Sequence, residues 1–265
     1  MRFDRAEIAL EAKHLRRAYG IESNGILDIF SFINEQGIDL IRYPFGKNKI
    51  LGFSTFYEGK KIIVSNSSEI LSREIYTVAH ELGHILYDFT EDYGKIKVDR
   101  THTEVGISEE RAYYFADCLL LPEDKLREMI KETFRKEPGE LRAINIVQMQ
   151  TVFRVSFNAL LERMHFTGII TAEQKSDLYK EREFYTSKSL FNMLGVSDEL
   201  LRPTDRLVVP PRYIDYAMSN YENGYIPLSS LKNALNLVNI NTSDLKENHY
   251  EEEEDSLDEL FEEYE

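Results

Sequence analysis

Tyr76-Thr77-Val78-Ala79-His80-Glu81-Leu82-Gly83-His84-Ile85-Leu86-Tyr87 is the stretch on which the reading of this 265-residue chain turns. It lies in a longer run, 70–87, with the length and composition of one helix. Residues four apart on a helix share a face, so His80 and His84 direct both imidazoles at one point. Glu81 sits beside them, close enough to reach a water there but not placed as a ligand. This is the HExxH arrangement of zinc hydrolases. Val78, Ala79, Leu82, Ile85 and Leu86 make the rest of the helix apolar. Two imidazoles and a carboxylate on such a helix are costly to bury without partners, and a metal ion supplies one. The plain alternative is a pair of core histidines bonded to backbone.

Catalytic zinc takes three protein ligands and keeps one position open. The third is sought in Glu109-Glu110-Arg111-Ala112-Tyr113-Tyr114-Phe115-Ala116-Asp117-Cys118-Leu119-Leu120-Leu121-Pro122. Ala112, Phe115, Ala116 and Leu119 form its apolar face, and Glu109 lies one turn before Ala112. Glu110 is rotated about 100° away, toward solvent, so Glu109 is favoured as the ligand.

Outward from these helices, residues 4–19 predict a helix closed by Gly20, and 26–35 a second. Three strand-like runs follow, 38–43, 50–57 and 61–64, the last two joined at the hairpin signal Glu58-Gly59. Residues 108–121 predict the Glu109 helix, and 143–171 two helices with a tight turn near Val155-Ser156. The rest reads as helical, broken at Pro203 and Pro210-Pro211, with a helix pair at 212–222 and 227–238. The expected fold is α+β. A small mixed or antiparallel three-stranded sheet packs on HExxH-bearing helices in a zincin-like arrangement. A helix-turn-helix-like segment and a mostly helical C-terminal region with an acidic tail follow. The expected divisions are 1–137, the domain that carries HExxH; 138–172, the helix-turn-helix-like segment packed on it; 173–250, a helical region; and 251–265, the tail.

The net charge of −15 is concentrated in that tail, whose ten acidic and no basic residues leave about −5 for the remaining 250. Within it Leu257, Leu260, Phe261 and Tyr264 recur at helical spacing, against a background expected to be solvated and largely disordered. A mildly acidic body lacks the basic face of a general nucleic-acid binder, and the slight positive balance of 135–165 favours packing or partner recognition there. The lone Cys118 excludes a disulfide framework, and no apolar run has membrane-spanning length. A charged N-terminus unlike a secretory signal leads to an expectation of a reducing cytoplasm. The sequence carries no signal for an oligomeric state.

The combined pattern resembles the ImmA/IrrE metallopeptidases, whose signature is HELGH followed by a helix of the form E-x-x-A-N-x-F-A-x-x-L-L-x-P. Here His80-Glu81-Leu82-Gly83-His84 is followed in register by Glu109, Ala112, Phe115, Ala116, Leu119, Leu120 and Pro122. Gly52, Ile62-Ile63-Val64-Ser65-Asn66, Arg73 and Ala79 are similar upstream, and the likeness spans about residues 5–172. Two positions depart: the family's Asn is Tyr113, and a His common four residues after the second ligand is Asp88. These changes bear on the groups around the ligands, not on the ligands.

The resemblance implies a zinc-dependent endopeptidase that cuts a helix-turn-helix repressor and so derepresses stress or mobile-element genes. Bottom-up chemistry agrees, with zinc on His80, His84 and Glu109 and Glu81 as general base. His102, Tyr93 and Tyr113 are candidates for the donor that stabilises the oxyanion, His102 more often being a solvated loop residue. Two His and a carboxylate also suit manganese or iron. The competing reading is a zinc-bearing interaction or sensor module that binds a transcription factor without cutting it. An intact Glu81, which a pure binder does not need, favours the enzyme.

Overall fold

Asp4 and Asp28 start the first two helices. The Asp4 carboxylate accepts from the Ala6 amide at 2.8 Å ahead of α1 (Arg5–Ala18), and Asp28 from Phe30 at 3.0 Å ahead of α2 (Ile29–Glu35). The computed structural model describes residues 3–21, 24–57, 59–89, 96–99 and 106–243.

Four strands make one mixed sheet in the order β1-β3-β2-β4: β1 (Asp39–Tyr43), β2 (Gly52–Tyr57), β3 (Lys60–Asn66) and β4 (Ile96–Asp99). β2 and β3 form the expected antiparallel hairpin, with Gly59 at φ +78° in its turn. β1 pairs with the far side of β3 in parallel, Leu40 opposite Ile63. The three expected strands are all present, and β4 lengthens the sheet beyond β2 as a fourth, antiparallel strand. Ile-Lys-Val-Asp is too short and too charged for its alternation to stand out in the sequence.

α3 (Leu71–Tyr87) lies between this sheet and α4 (Ile107–Leu120). Thirteen of its seventeen residues are buried, so it is covered all round and its polar groups need partners inside the protein. Glu74 takes Arg42 of β1 bidentately, Nε to Oε1 at 2.8 Å and Nη2 to Oε2 at 2.6 Å. Ser65 Oγ of β3 donates to the same carboxylate at 2.9 Å, and the Arg42 guanidinium rests 3.8 Å from the centroid of the Phe30 ring. One ion pair thus joins helix, sheet and α2.

Beyond α4 come α5 (Glu123–Glu128), a π-helical turn at Met129–Phe134, α6 (Ala143–Phe153), α7 (Phe157–Phe166), α8 (Ala172–Phe184) and α9 (Ser187–Leu194). Between α6 and α7 the chain turns at Arg154, φ +58°, and Ser156 Oγ caps α7 at the Ala159 amide. These helices share the core of α3 and α4: Phe115, Leu119, Val147, Phe153, Leu161, Leu178, Phe191 and Leu200 belong to one buried cluster.

Packing divides the chain into two units, Met1–Pro210 and Pro211–Glu265. The division falls at the proline pair and not near residue 172, for two reasons. Helices α8 and α9 complete the first core, and the following segment returns to the sheet, where Arg42 and Val208 exchange two 2.9 Å backbone hydrogen bonds. In the second unit, α10 (Arg212–Glu222) and α11 (Leu228–Leu237) form the expected helix pair around Ala217, Leu228, Leu231 and Leu235. The acidic tail lies outside the described residues. No helix among the described residues is long and apolar enough to cross a membrane.

Replacing Arg42 by Ala strands the buried Glu74 carboxylate, and we expect urea unfolding to report a loss of about 3–5 kcal/mol. The double replacement Arg42→Met with Glu74→Leu is expected to recover a large part of it. A single substitution that costs under ~1 kcal/mol would show that the pair does not hold α3 to the sheet.

Candidate metal centre

The site forms where α3 and α4 cross. A Cβ on Gly83 would lie 2.9 Å from Ala112 Cα and 3.3 Å from Ala112 Cβ, a separation that real side chains do not tolerate. Glycine at this position lets the helices meet backbone to backbone, and the ligand-bearing faces close on each other. His80 Nε2 and His84 Nε2 stand 3.1 Å apart. His80 Nε2 is 3.1 Å from Glu109 Oε2, and His84 Nε2 is 3.3 Å from Glu109 Oε1. Glu109 is half-buried in the first turn of α4, where the helix dipole favours a carboxylate, whereas Glu110 is exposed.

These distances test whether a metal fits. Tetrahedral ligands held about 2.1 Å from an ion lie ~3.4 Å from one another. The three donors approach that spacing, and one ligand atom from each of the three residues can be chosen so that all lie within 4.8 Å. Two imidazole nitrogens aimed at one another and at a carboxylate suit a cation between them. The electrostatics agree. Burial alone would lower the His84 pKa, yet Asp88, Glu81 and Glu109 together raise it, so the site favours positive charge. The hydrogen bond to His80, opposed by burial and helped by His84, holds Glu109 below the usual carboxylate range.

The surroundings fix the ligands. His84 Nδ1 meets Asp88 Oδ2 at 2.5 Å, Ser108 Oγ donates to Asp88 Oδ2 at 2.5 Å, and Arg111 pairs with the other oxygen. Asp88 therefore sets the tautomer and ring angle of His84, leaving Nε2 for the ion. The Tyr113 ring packs on His80 with centroids 4.2 Å apart, and Tyr76 donates to Asp117 Oδ1 at 2.8 Å as a second tie between α3 and α4. On the sheet side, Gly52 admits Thr77, whose Cγ2 would be 2.7 Å from a Cβ there. Ser54 Oγ of β2 donates to Glu81 Oε2 at 2.6 Å, and both side chains are wholly buried.

The structure thus brings together His80, His84 and Glu109, with Glu81 and Tyr113 beside them. His102 and Tyr93 lie outside the described residues. Sequence reasoning singled out Asp88 only as a departure from the family pattern, without giving it a role, and did not find Ser54. Asp88 carried a signal, its place one turn after His84 on the ligand face; Ser54 carried none.

A buried HExxH helix crossed by a glutamate-bearing helix, beside a small mixed sheet, is an arrangement that can hold a metal ion for hydrolysis. The sequence profile of Peptidase M78, the IrrE N-terminal-like domain, matches residues 33–165, and the chain belongs to that family. It is accordingly a peptidase of metallopeptidase type. Comparison with curated proteins gives no match.

Two measurements probe this geometry. Asp88→Asn is expected to weaken metal binding about 10–100-fold by chelator competition, and an unchanged affinity would remove Asp88 from the ligand support. Burial pushes Asp117 up to about 6 despite the opposing pull of Arg163 and the Tyr76 hydrogen bond. A raised carboxyl pKa gives stability that is full below the ordinary value and is lost as pH rises through the folded one. Between about pH 4 and 6, wild type should lose on the order of 1–3 kcal/mol relative to Asp117→Asn, and parallel curves would contradict this.

Proposed function

We propose that this chain is a zinc-dependent endopeptidase of regulatory type. The observation that carries the reading is the convergence of His80, His84 and Glu109 beside Glu81. When bound there, zinc supplies Lewis acidity toward water and toward a peptide carbonyl. His80 and His84 would hold it through Nε2 and Glu109 through its carboxylate. Asp88 keeps His84 in the ligating tautomer. Glu81 takes a proton from the attacking water and returns it to the leaving amide nitrogen. The Ser54 hydroxyl donates to one oxygen of Glu81, which fixes the orientation of the carboxylate. Tyr113, against His80, is the candidate oxyanion donor among the described residues.

The substrate in this reading is a helix-turn-helix repressor, cut once to release stress or mobile-element genes. This part rests on the resemblance to ImmA/IrrE peptidases. An extended substrate segment would add as a strand along β4, the edge beside the strand that carries Ser54. The chain works on protein and does not bind nucleic acid directly.

Incubating candidate repressors with wild type and with Glu81→Gln tests the reading. Wild type should give one defined pair of fragments, and Glu81→Gln should be at least ~100-fold slower while retaining metal. Equal cleavage by both proteins, or binding without any cut, would sink the endopeptidase assignment.

A further inference from the structure

Cys118 projects from α4 about 180° from Glu109, on the side away from the metal centre. There α1, α4, the start of α5 and one side chain of α7 enclose a cavity of about 830 Å³. That volume suits a ligand of nucleotide size. Ala9, Ile21, Tyr114 and Pro122 give it apolar and aromatic wall. The charged lining is lopsided. Lys13, Arg16, Arg17, Lys125, Arg127 and Arg163 face Glu123 and Asp124, a balance of +4 in a chain whose net charge is −15.

Some of this charge is answered within the protein. Arg127 pairs with Glu123 at 2.9 Å, Lys125 with Glu128 at 2.8 Å, and Lys13 lies 3.9 Å from Asp124. Two guanidinium groups are built into the wall. Arg16 and Arg163 are 5% and 4% exposed, far below what a solvated arginine shows. Arg16 donates to Leu119 O at 2.8 Å, and Arg163 Nε to Leu121 O at 3.3 Å. Arg163 Nη2 reaches only the weak acceptor Cys118 Sγ, at 3.4 Å, and its Nη1 has no hydrogen-bond partner among the described residues. Asp117, whose charge acts on Arg163, spends its Oδ1 on Tyr76. A buried cation with an unused donor is expensive unless an anion meets it. Arg17, exposed at the cavity's edge, has no ion pair among the described residues.

We propose that this cavity is a second ligand site, which binds a small phosphate-bearing anion of nucleotide size. The phosphate groups meet Arg163, Arg16 and Arg17, and the remainder of the molecule lies against Ile21, Tyr114 and Pro122. Guanidinium forks suit phosphate oxygens, and the apolar wall gives a nucleoside an advantage over the bare anion. The site depends on neither the metal nor proteolysis.

Calorimetric titration of the full chain with ADP, pyrophosphate and inorganic phosphate at constant ionic strength tests the proposal. His80→Ala and Arg17→Glu serve as the two variants. Arg17 is on the surface, so its substitution leaves the core intact, and circular dichroism checks both folds. Saturable one-site binding of ADP or pyrophosphate is expected in wild type and in His80→Ala, weakened at least ~10-fold in Arg17→Glu. Binding of ADP but not pyrophosphate assigns the nucleoside wall, and equal binding assigns the phosphates alone. The proposal is overturned if no probe saturates at millimolar concentration, if Arg17→Glu binds like wild type, or if binding disappears with His80→Ala and persists in Arg17→Glu.

Discussion

The absence of a side chain at Gly83 governs the geometry of the metal centre. Helices normally pack with their axes 8–10 Å apart, held off by the side chains between them. At Gly83 the backbone of α3 reaches the Cα of Ala112 on α4, and any Cβ would overlap it. Everything in the metal centre follows from this approach. His80 and Glu109 come from different helices, and their 3.1 Å separation requires the crossing point to lie within a turn of both. Gly52 does the same on the opposite flank, where β2 comes close enough for Ser54 to reach Glu81. The glycine of HELGH is therefore a packing requirement as much as the histidines are a chemical one.

A helix buried on every side would be simplest if it were wholly apolar. α3 instead carries Glu74, His80, Glu81 and His84 into the interior, each nearly inaccessible to solvent. Their partners come from different elements: Arg42 and Ser65 from β1 and β3, Ser54 from β2, and Asp88 just past the end of the same helix. Each pairing fixes a rotation and a height for α3 as well as offsetting desolvation. Buried ion pairs often add little net stability, but they discriminate strongly between arrangements that satisfy them and those that do not. For a site whose ligands tolerate errors of only a few tenths of an ångström, that discrimination is the useful property.

What could be read in the sequence, and what could not, follows the range of the interactions. The ligand-bearing helices were legible because helical periodicity is local: i and i+4 place His80 with His84, and apolar spacing separates Glu109 from Glu110. The hairpin was legible from Glu58-Gly59 between two β-rich runs. The contribution of Ser54 was not, because it depends on β2 lying beside α3, with the partners 27 positions apart in the chain. β4 was missed because four residues of mixed polarity carry almost no periodic signal. The extent of the first unit is likewise not a local property. Helices α8 and α9 look like any helix pair after residue 172, and only tertiary packing shows that Phe191 and Leu200 complete the core around Phe115. Asp88 lay between these cases. Its spacing from His84 was visible, but its role needed Ser108 and Arg111 to be seen holding its two oxygens.

The two ligand helices are anchored unequally. α3 is gripped along its length by the sheet, by the Arg42–Glu74 pair and by the cluster around Ile75, Val78 and Leu82. Among the described residues α4, like α3, has no side-chain cap at its N-terminus, where Glu109 sits, and it has no basic residue of its own in its last turn. The missing counter-charge at its C-terminal end comes from outside, through Arg16 on Leu119 O and Arg163 on Leu121 O. A helix moves most readily along the direction in which it is least held. For α4 that direction bears on the side-chain caps at one end and the glutamate ligand at the other. Two arginines from α1 and α7 thus help to set the height at which Glu109 meets the histidines, and the position of the third ligand depends on contacts made ten and twelve residues along the chain from it.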